Sequence, residues 1–439
     1  MNLDRCFVTD ASRPLTEPIR IQDVGNDGSL VAKDLFTLDH VEGYLSEAQG
    51  WKSRFISICQ RNSWQPLQAT KPMLESVAHA HQLGYPLWEL ASCFYSRNSD
   101  VEEAFSVPLE SIVGPDFVDT AYSLRYPEYK PSTDEWVLRQ SAVYHRLYLS
   151  SRKSLFILFS PRPNSRASTS ISSHIQEHLR RQPNNDDFGL HQVFFSAYIP
   201  NWRAYIAFQE RRFLPAAKKI FTIFIEEPLR VSYDDLSEMA SLQNRFLTIS
   251  TVVSAAQQLL SDLSSLLREH PLGRNVEAEQ LDNHARRCVA YARVAAHLRQ
   301  QAQTTAQLLT ATFSLHDQII AKEQNGNMLK LNKSAVFVTT LTLVYAPASF
   351  VASFFGMNFF AMDQVNNRIV ATPMIWIYII SIFCFTAATV AFYYWLVQHD
   401  DVLFARLAPK IRHVPDWRSL ARRFTKTKEM EELQLVTAV

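Results

Sequence analysis

The chain has 439 residues, with 44 lysines and arginines against 43 aspartates and glutamates, for a formal net charge of +1. This balance argues against a dedicated nucleic-acid-binding protein, because such proteins carry a strong basic excess. Hydrophobic residues make up 47% of the chain and charged residues 20%, which excludes a disordered protein. The five cysteines are scattered without a CxxC pair, so neither a disulfide framework nor a structural zinc site is indicated.

Residues 1–235 are predicted to form an N-terminal cytosolic α/β region. The first 25 or so residues are polar and are predicted to be loosely held. Residues from about 30 to 115 show mixed short helical patterns, whereas Trp136 to Ser160 predicts two or three strands with a turn at Ser150–Lys153. The serine-rich segment 164–173 is predicted to be a loop followed by a short helix, and a further helix is predicted from about 190 to 199.

The pattern after Val231 is helical, and residues 236–333 are predicted to form a long stalk. A first helix is predicted to begin near Ser237 and to stop at His270-Pro271-Leu272-Gly273. From Val276 to Ala346 there is no proline and the only glycine is Gly326. Two interpretations stay open: two helices with a kink at Gly326, or one continuous helix that runs into the apolar segment that follows.

Two long runs lack any charged residue, 334–362 and 369–398. Both exceed the roughly 20 apolar residues that a membrane span needs. The sequence therefore predicts two transmembrane helices within 334–398, at about 334–356 and 374–397, joined by a short outer loop and followed by a cytosolic tail, 399–439. Positive charge flanks the two predicted helices and is sparse between them. Lys322, Lys330 and Lys333 precede the helices, Arg406, Lys410 and Arg412 follow them, and Arg368 lies in the connecting loop. This pattern predicts both termini on the cytoplasmic side, and the plasma membrane is the favoured location.

The end of the first run carries a specific motif, Gly356-Met357-Asn358. Pro347 lies nine residues before it and Phe359 directly after it. The motif, its depth and the two C-terminal spans resemble the CorA-like divalent cation (magnesium) transporter family. The stretches FFGMNFF and KEQNGNMLKLNKS resemble the fungal-type branch of that family.

The resemblance implies a fold and an assembly. The expected fold is an α+β cytosolic domain followed by a long stalk helix and a two-helix transmembrane hairpin. The expected assembly is a homopentamer, with five first spans around a pore and a ring of Asn358 amides at its outer mouth. Mg²⁺ gives up its water reluctantly, so neutral amide oxygens that bind the hydrated ion through its water suit such a filter.

Aligned on Gly356, the resemblance also implies a pore-lining stripe. Its members step by three or four residues and so share one helical face: Ala335, Val338, Thr342, Ala346, Ser349 and Ser353. The alternative is a small-residue face that serves only helix packing. In the outer loop Asp363 is the only acid and Arg368 opposes it, so electrostatic concentration of cations is expected to be weaker than in the usual family pattern.

Other candidate sites are weak. His79 and His81 are predicted to be surface residues. Three acidic pairs are expected to be solvated turns or helix starts, with a regulatory cation site as the alternative: Asp186-Asp187, Glu226-Glu227 and Asp234-Asp235. There is no HExxH, GxSxG or Walker pattern, so no enzyme is predicted.

The sequence thus predicts a passive channel for hydrated Mg²⁺ or a related divalent cation. Its expected partners are further copies of itself, divalent cations and the lipid bilayer, with no nucleic acid. No cofactor is expected, and Mg²⁺ is both the transported ion and a candidate regulatory ion. The alternative is a membrane-anchored structural or signalling protein with a CorA-like fold that has lost conduction.

Overall fold

The computed structural model divides into two compact units, Met1–His316 and Asp317–Val439. The residues that it describes are 3–9, 13–47, 50–97, 104–179, 188–221, 231–269, 275–354, 360–363, 368–371 and 373–407.

A seven-stranded mixed sheet is the centre of the first unit. Its strands lie in the order β2-β1-β3-β7-β6-β5-β4, and every neighbouring pair is antiparallel except β3 and β7. The strands are β1 (Ile19–Gly25), β2 (Leu30–Leu35), β3 (Trp51–Cys59), β4 (Glu110–Val113), β5 (Phe117–Lys130), β6 (Glu135–Tyr148) and β7 (Ser154–Ser160).

Helices cover both faces of this sheet. On one face lie α1 (Leu38–Glu47), α2 (Lys71–His81) and α3 (Pro86–Ser92); on the other lie α4 (Arg166–His174), α5 (Gly189–Tyr198), α6 (Asn201–Phe221), α7 (Tyr233–Glu269) and the first part of α8 (Asn275–Phe354). In β7, Phe156 belongs to one core and Ile157 to the other, so the uninterrupted apolar run of this strand follows from burial on both faces.

The N-terminal segment differs from its prediction. It was expected to be loosely held to about residue 25, but Ile19–Gly25 forms β1, in which Ile19 and Ile21 are fully buried. Its neighbours β2 and β3 supply the hydrogen bonds, and these partners lie up to 37 residues away along the chain. A local pattern of polar residues could not reveal that pairing.

The segment 164–173 was predicted to be a loop and is mostly helix. Helix α4 begins after Ser165, whose side chain accepts a hydrogen bond from the backbone N–H of Ser168. Ala167 and Ile171 are buried on the inner side of this helix. Capping and burial therefore outweigh the weak helix propensity of its serines.

The segment from about 30 to 115 was predicted to hold short helices and contains α1, α2 and α3, but it also contains the strands β2, β3 and β4, of which β3 has its partner β7 far along the sequence. The later predictions agree better with the structure. The predicted strands and turn between Trp136 and Ser160 are β6, β7 and their connection, and the helix predicted at 190–199 is α5. Helix α7 is present but begins four residues before Ser237, and its predicted stop at 270–273 lies outside the described residues. Helix α8 runs unbroken through Gly326, which favours the continuous helix over the kinked pair.

In the second unit, the described residues after α8 form a short hairpin and a further helix. Strands β8 (Phe360–Asp363) and β9 (Arg368–Ala371) pair antiparallel, and helix α9 spans Met374–Leu407. The predicted outer loop therefore contains β structure. The tail beyond Leu407 lies outside the described residues.

Candidate functional site

Helix α8 exposes large apolar side chains along the segment predicted to cross a membrane. Phe337 is 68% exposed, Val338 57% and Phe350 62%. Among the described residues, Val276–Ser353 is the one helix that is long and apolar enough to span a membrane by length and composition, while the apolar stretch Ile375–Ala391 in α9 is shorter. The exposed apolar surface of α8 fits a lipid or protein environment better than water.

The six predicted pore-lining residues share one exposed face of α8, from Ala335 to Ser353. Pro347 and Val351, on the opposite side of the same helix, are buried. The stripe is therefore exposed in a single chain, as a pore-lining or subunit-packing face must be, but most other residues of this segment are exposed as well. Its assignment to a pore stays a prediction.

The hydroxyl of Thr342, in the predicted pore-lining stripe, has a defined orientation. Its Oγ1 donates to the backbone carbonyls of Thr339 at 2.8 Å and Val338 at 3.1 Å. With the hydrogen directed at its own helix, the oxygen lone pairs are left to accept hydrogen bonds. A hydrated cation presents water hydrogens, so this orientation suits contact with the ion's hydration shell.

Pro347 modifies the same helix one turn further on. It has no backbone N–H and cannot donate to the carbonyl of Leu343, four residues earlier. The helix nevertheless continues to Phe354.

The filter motif Gly356, Met357 and Asn358 lies outside the described residues. Five residues after Asn358, Asp363 ends β8 and is the register partner of Arg368 at the start of β9. The two opposite charges predicted to oppose each other in the outer loop are thus cross-strand neighbours along the backbone.

Two buried ion pairs in the sheet were missed by the sequence analysis. Arg54 in β3 donates to both carboxylate oxygens of Asp23 in β1, at 2.6 and 2.8 Å. Arg146 in β6 makes the same bidentate contact with Asp119 in β5, at 2.5 and 2.6 Å. The four side chains are at most 7% exposed, so both pairs are removed from water. An arginine within an apolar strand, as in Arg54-Phe55-Ile56, was the available signal.

Each pair is enclosed by further polar side chains. Tyr44 donates to Asp23 at 2.8 Å and Tyr144 to Asp119 at 2.7 Å. Burial and the adjacent carboxylates raise the pKa of both tyrosines, so their hydroxyls stay protonated as donors. With these bonds the carboxylates are well satisfied, which indicates a structural role.

His81 was predicted to lie on the surface and is buried instead. On helix α2 its neighbour His79 faces outward, but His81 is 6% exposed and its Nε2 lies 3.2 Å from Arg54. Burial, followed by the nearby positive charge of Arg54, lowers the pKa of His81 to about 3. The ring is therefore neutral at physiological pH.

A second buried histidine cluster connects the sheet with α5. His145 Nδ1 lies 2.9 Å from His191 Nε2, and His191 Nδ1 lies 2.6 Å from the Tyr122 hydroxyl. The other nitrogen of His145 contacts Ser154 at 3.0 Å. Burial lowers the pKa of His145 to about 3 and that of His191 well below its ordinary value. All four ring nitrogens have a partner, so the cluster is a neutral hydrogen-bonded chain.

The acidic pairs do not form a metal centre in the part of the chain that the structure describes, where no group of three or more His, Cys, Asp or Glu side chains could hold an ion. Asp234-Asp235 opens α7, as a helix start. Asp235 accepts from Lys219 at 2.9 Å and from the Ser232 N–H at 2.7 Å. Burial raises the pKa of Asp235, but these bonds outweigh it and leave the pKa lowered. The pairs 186–187 and 226–227 lie outside the described residues.

Comparison with known proteins gives a family match over part of the chain. Residues 225–399 match the family described as CorA-like Mg²⁺ transporter protein. The match includes α7, α8, the Gly356-Met357-Asn358 motif and much of α9. No curated protein sequence matches this chain.

Solved structures show distant similarity over most of the chain. The complete CorA magnesium transporter from Methanocaldococcus jannaschii is 11% identical over 86% of this chain and 98% of its own, with a TM-score of 0.39. The full-length CmaX protein is 10% identical over 88% of this chain and 98% of its own, with a TM-score of 0.46. The ZntB cytoplasmic domain from Vibrio parahaemolyticus is 10% identical over 69% of this chain and 99% of its own, with a TM-score of 0.39.

The likeness accordingly lies in the sequence of residues 225–399. The matched family is described by Mg²⁺ transport, and the exposed apolar surface of α8 fits a membrane environment. Residues 225–399, less than half of the chain, are thus similar to the CorA-like Mg²⁺ transporter family.

Proposed function

We propose that the protein is a homopentameric channel that passes hydrated Mg²⁺, or a related divalent cation, down its electrochemical gradient. The single observation that carries the proposal is the Gly356-Met357-Asn358 motif at the end of a helix that exposes an apolar surface within the matched family region. Transport is passive in this proposal, and the chain is not an enzyme.

In the proposed topology α8 and α9 both cross the membrane, at about 334–356 and 374–397, with both termini in the cytoplasm and the plasma membrane as the site. The preceding segments, 1–235 and 236–333, are the cytosolic region and the stalk, and 399–439 is a cytosolic tail. The long uncharged runs and the flanking lysines and arginines support this arrangement.

Selectivity is assigned to a ring of Asn358 side chains at the outer mouth. Five neutral amides hold a hydrated ion through its water and release it again, because they do not replace tightly bound first-shell water. Gly356 permits the backbone to leave the helix at that point. Below the ring, Thr342, Ser349 and Ser353 supply hydroxyls, and Ala335 and Val338 form an apolar constriction.

The outer entrance in this proposal carries no net charge from its two ionisable residues. Asp363 and Arg368 are register partners, and five subunits supply equal numbers of each. Cation entry therefore depends on the amide ring more than on an acidic funnel. Mg²⁺ binding in the soluble region, at the acidic pairs outside the described residues, is kept as a regulatory hypothesis.

The test is divalent cation uptake into liposomes that contain only the purified protein. Asn358→Ala removes the amide and leaves the apolar length of the span unchanged, so the variant should insert and assemble normally but transport poorly. Asn332→Ala, which removes an exposed amide before the span, is the matched control and should transport like the parent. Native mass measurement in mild detergent should give a pentamer for all three proteins.

Two outcomes would overturn the proposal. If Asn358→Ala transports like the parent at equal protein abundance, the amide ring is not the filter. If the parent protein transports no divalent cation while forming a stable monomer or dimer, it is not a channel.

A further inference from the structure

A large cavity lies in the first unit, and none of its lining residues belongs to the segments proposed to conduct ions. Its volume is about 790 Å³. Strands β5 and β6 form one wall, and one face each of α6 and α7 forms the others. Protein sites for small organic ligands typically have volumes of about 300–1,000 Å³, so this cavity is of the size that such a ligand requires.

Positive charge dominates the lining. Arg97, Arg125, Arg212 and Arg245 line the cavity, and Glu135 is the acidic residue among them. Arginine presents a planar fork of donors that matches phosphate and carboxylate oxygens. The lining therefore favours an anion.

The sources of this charge differ in their surroundings. Arg125 is 4% exposed and is held by its Nε, which donates to the carbonyl of Phe105. Arg212 contacts Glu238 at 3.4 Å on the surface, and Arg245 is exposed on α7. The lining thus combines one buried cation, Arg125, with two that are accessible to solvent, Arg212 and Arg245.

A buried amide at the cavity points to an occupant. Gln209 lines the cavity from α6 and is fully buried, yet neither its Nε2 nor its Oε1 has a hydrogen-bond partner in the protein. Buried side-chain amides are nearly always satisfied, because leaving both groups without partners destabilises the fold. A polar ligand in the cavity would supply the missing partners.

The remaining walls are aromatic. Trp136 is half-buried and lies between Tyr129, at a ring-centroid distance of 5.5 Å, and Tyr205, at 5.7 Å. Trp136, Tyr205 and Phe208 all line the cavity. Flat apolar rings held in this way provide a stacking surface for a planar group.

We propose that this cavity is a binding site for a phosphate-bearing ligand with a planar ring, the nucleotide class. Arg125, Arg212 and Arg245 bind the phosphate oxygens, Gln209 hydrogen-bonds a polar edge, and Trp136 with Tyr205 contacts the ring. The residues of these three features come from four elements, β5, β6, α6 and α7, and line one cavity. The proposed ligand site shares no residue with the proposed pore.

The experiment uses the full-length protein in detergent micelles with EDTA present, and ADP as the probe. Isothermal titration should give saturable binding of ADP. Pyrophosphate should bind more weakly because it lacks the ring, and adenosine more weakly still because it lacks the charge. Equal affinity for ADP and pyrophosphate would overturn the assignment of a ring, and no saturable binding of ADP would overturn the site.

Variants locate the binding. Arg245→Ala should weaken ADP binding by about tenfold, the usual effect of losing one hydrogen-bonding charged partner. Arg211→Ala removes an exposed arginine of α6 that does not line the cavity and should leave the affinity unchanged. Equal losses in the two variants would overturn the location of the site.

Gln209→Leu gives a signature that a general loss of folding cannot produce. Replacing an unsatisfied buried amide by an apolar side chain of similar size should raise the melting temperature without ligand. The same variant should bind ADP several-fold more weakly than the parent. If Gln209→Leu binds ADP like the parent, Gln209 does not contact the ligand and the proposed site is wrong.

Discussion

The sheet of the first unit buries charged side chains, whereas the apolar stretch of α8 exposes hydrophobic ones. In the sheet, Arg54 and Arg146 are almost completely buried and bind Asp23 and Asp119. Along α8 there is no charge from 334 to 354, and residues such as Phe350 are left exposed. The difference fits two different surroundings, water around the sheet domain and a lipid or protein environment around α8.

The largest expected effect comes from breaking a buried pair in the sheet. Arg146→Met leaves the Asp119 carboxylate buried without its cation, which should lower the free energy of unfolding by about 3–5 kcal/mol. Arg20→Met is the matched control, because Arg20 and Asp34 form an exposed pair at 2.9 Å in the same sheet. An exposed pair contributes about 0.2–1 kcal/mol.

Denaturant unfolding of the full-length protein in micelles measures both variants. Similar losses for Arg146→Met and Arg20→Met would contradict the view that burial gives the Asp119–Arg146 pair its importance.

The second prediction places a charge on an exposed apolar residue in each region. Val344 in α8 is 43% exposed and Leu247 in α7 is 40% exposed, so the two sites are matched in exposure. Val344→Arg should oppose membrane insertion by about 2.5–3.5 kcal/mol, the cost of an arginine near the centre of a span. Leu247→Arg faces water and should change stability by less than about 0.5 kcal/mol.

Membrane fractionation after alkaline washing measures insertion. Full insertion of the Val344→Arg variant would mean that this part of α8 does not lie in the bilayer.

These two regions were also unequally predictable. The apolar stretch of α8 follows from local composition, since 20 or more uncharged residues suffice to predict a span. The proline-free run from Val276 left a kinked pair and a continuous helix open, and the structure has the continuous helix. The buried pairs depend on β1 meeting β3 and β5 meeting β6. Asp23 and Arg54 are 31 residues apart, so neither segment alone shows that the two side chains pair. The cavity at Gln209 likewise needs four separate elements and has no local signal.

The third prediction concerns pH and the sheet region. His145 has a pKa of about 3 in the folded protein against an ordinary value near 6.5, because burial disfavours its charged form. The unfolded chain therefore binds a proton between pH 6.5 and pH 3 that the folded chain rejects, and stability falls as the pH is lowered through that window. The slope is about 1.4 kcal/mol per pH unit for one histidine.

Replacing His145 by glutamine should remove its share of this slope, because glutamine does not titrate. Unfolding midpoints at pH 7 and pH 5 measure the effect, with His79→Gln, at an exposed position, as the control. An unchanged slope in His145→Gln would show that His145 is not neutral and buried in the native protein.

The smallest expected effect on folding is that of a substitution at Thr342. This substitution tests whether the stripe on α8 lines a pore. Thr342→Val keeps the shape and removes a hydroxyl that bonds only its own helix, at Val338 and Thr339, so stability should change by less than about 1 kcal/mol. Thr340→Val removes an equivalent hydroxyl, which donates to Val336 at 2.8 Å, from the opposite side of α8. If the stripe lines a pore, Thr342→Val should slow divalent uptake into liposomes severalfold while Thr340→Val leaves it unchanged. Equal uptake by the two variants would assign the stripe to helix packing, because a packing face has no use for a hydroxyl that accepts hydrogen bonds from the water around an ion.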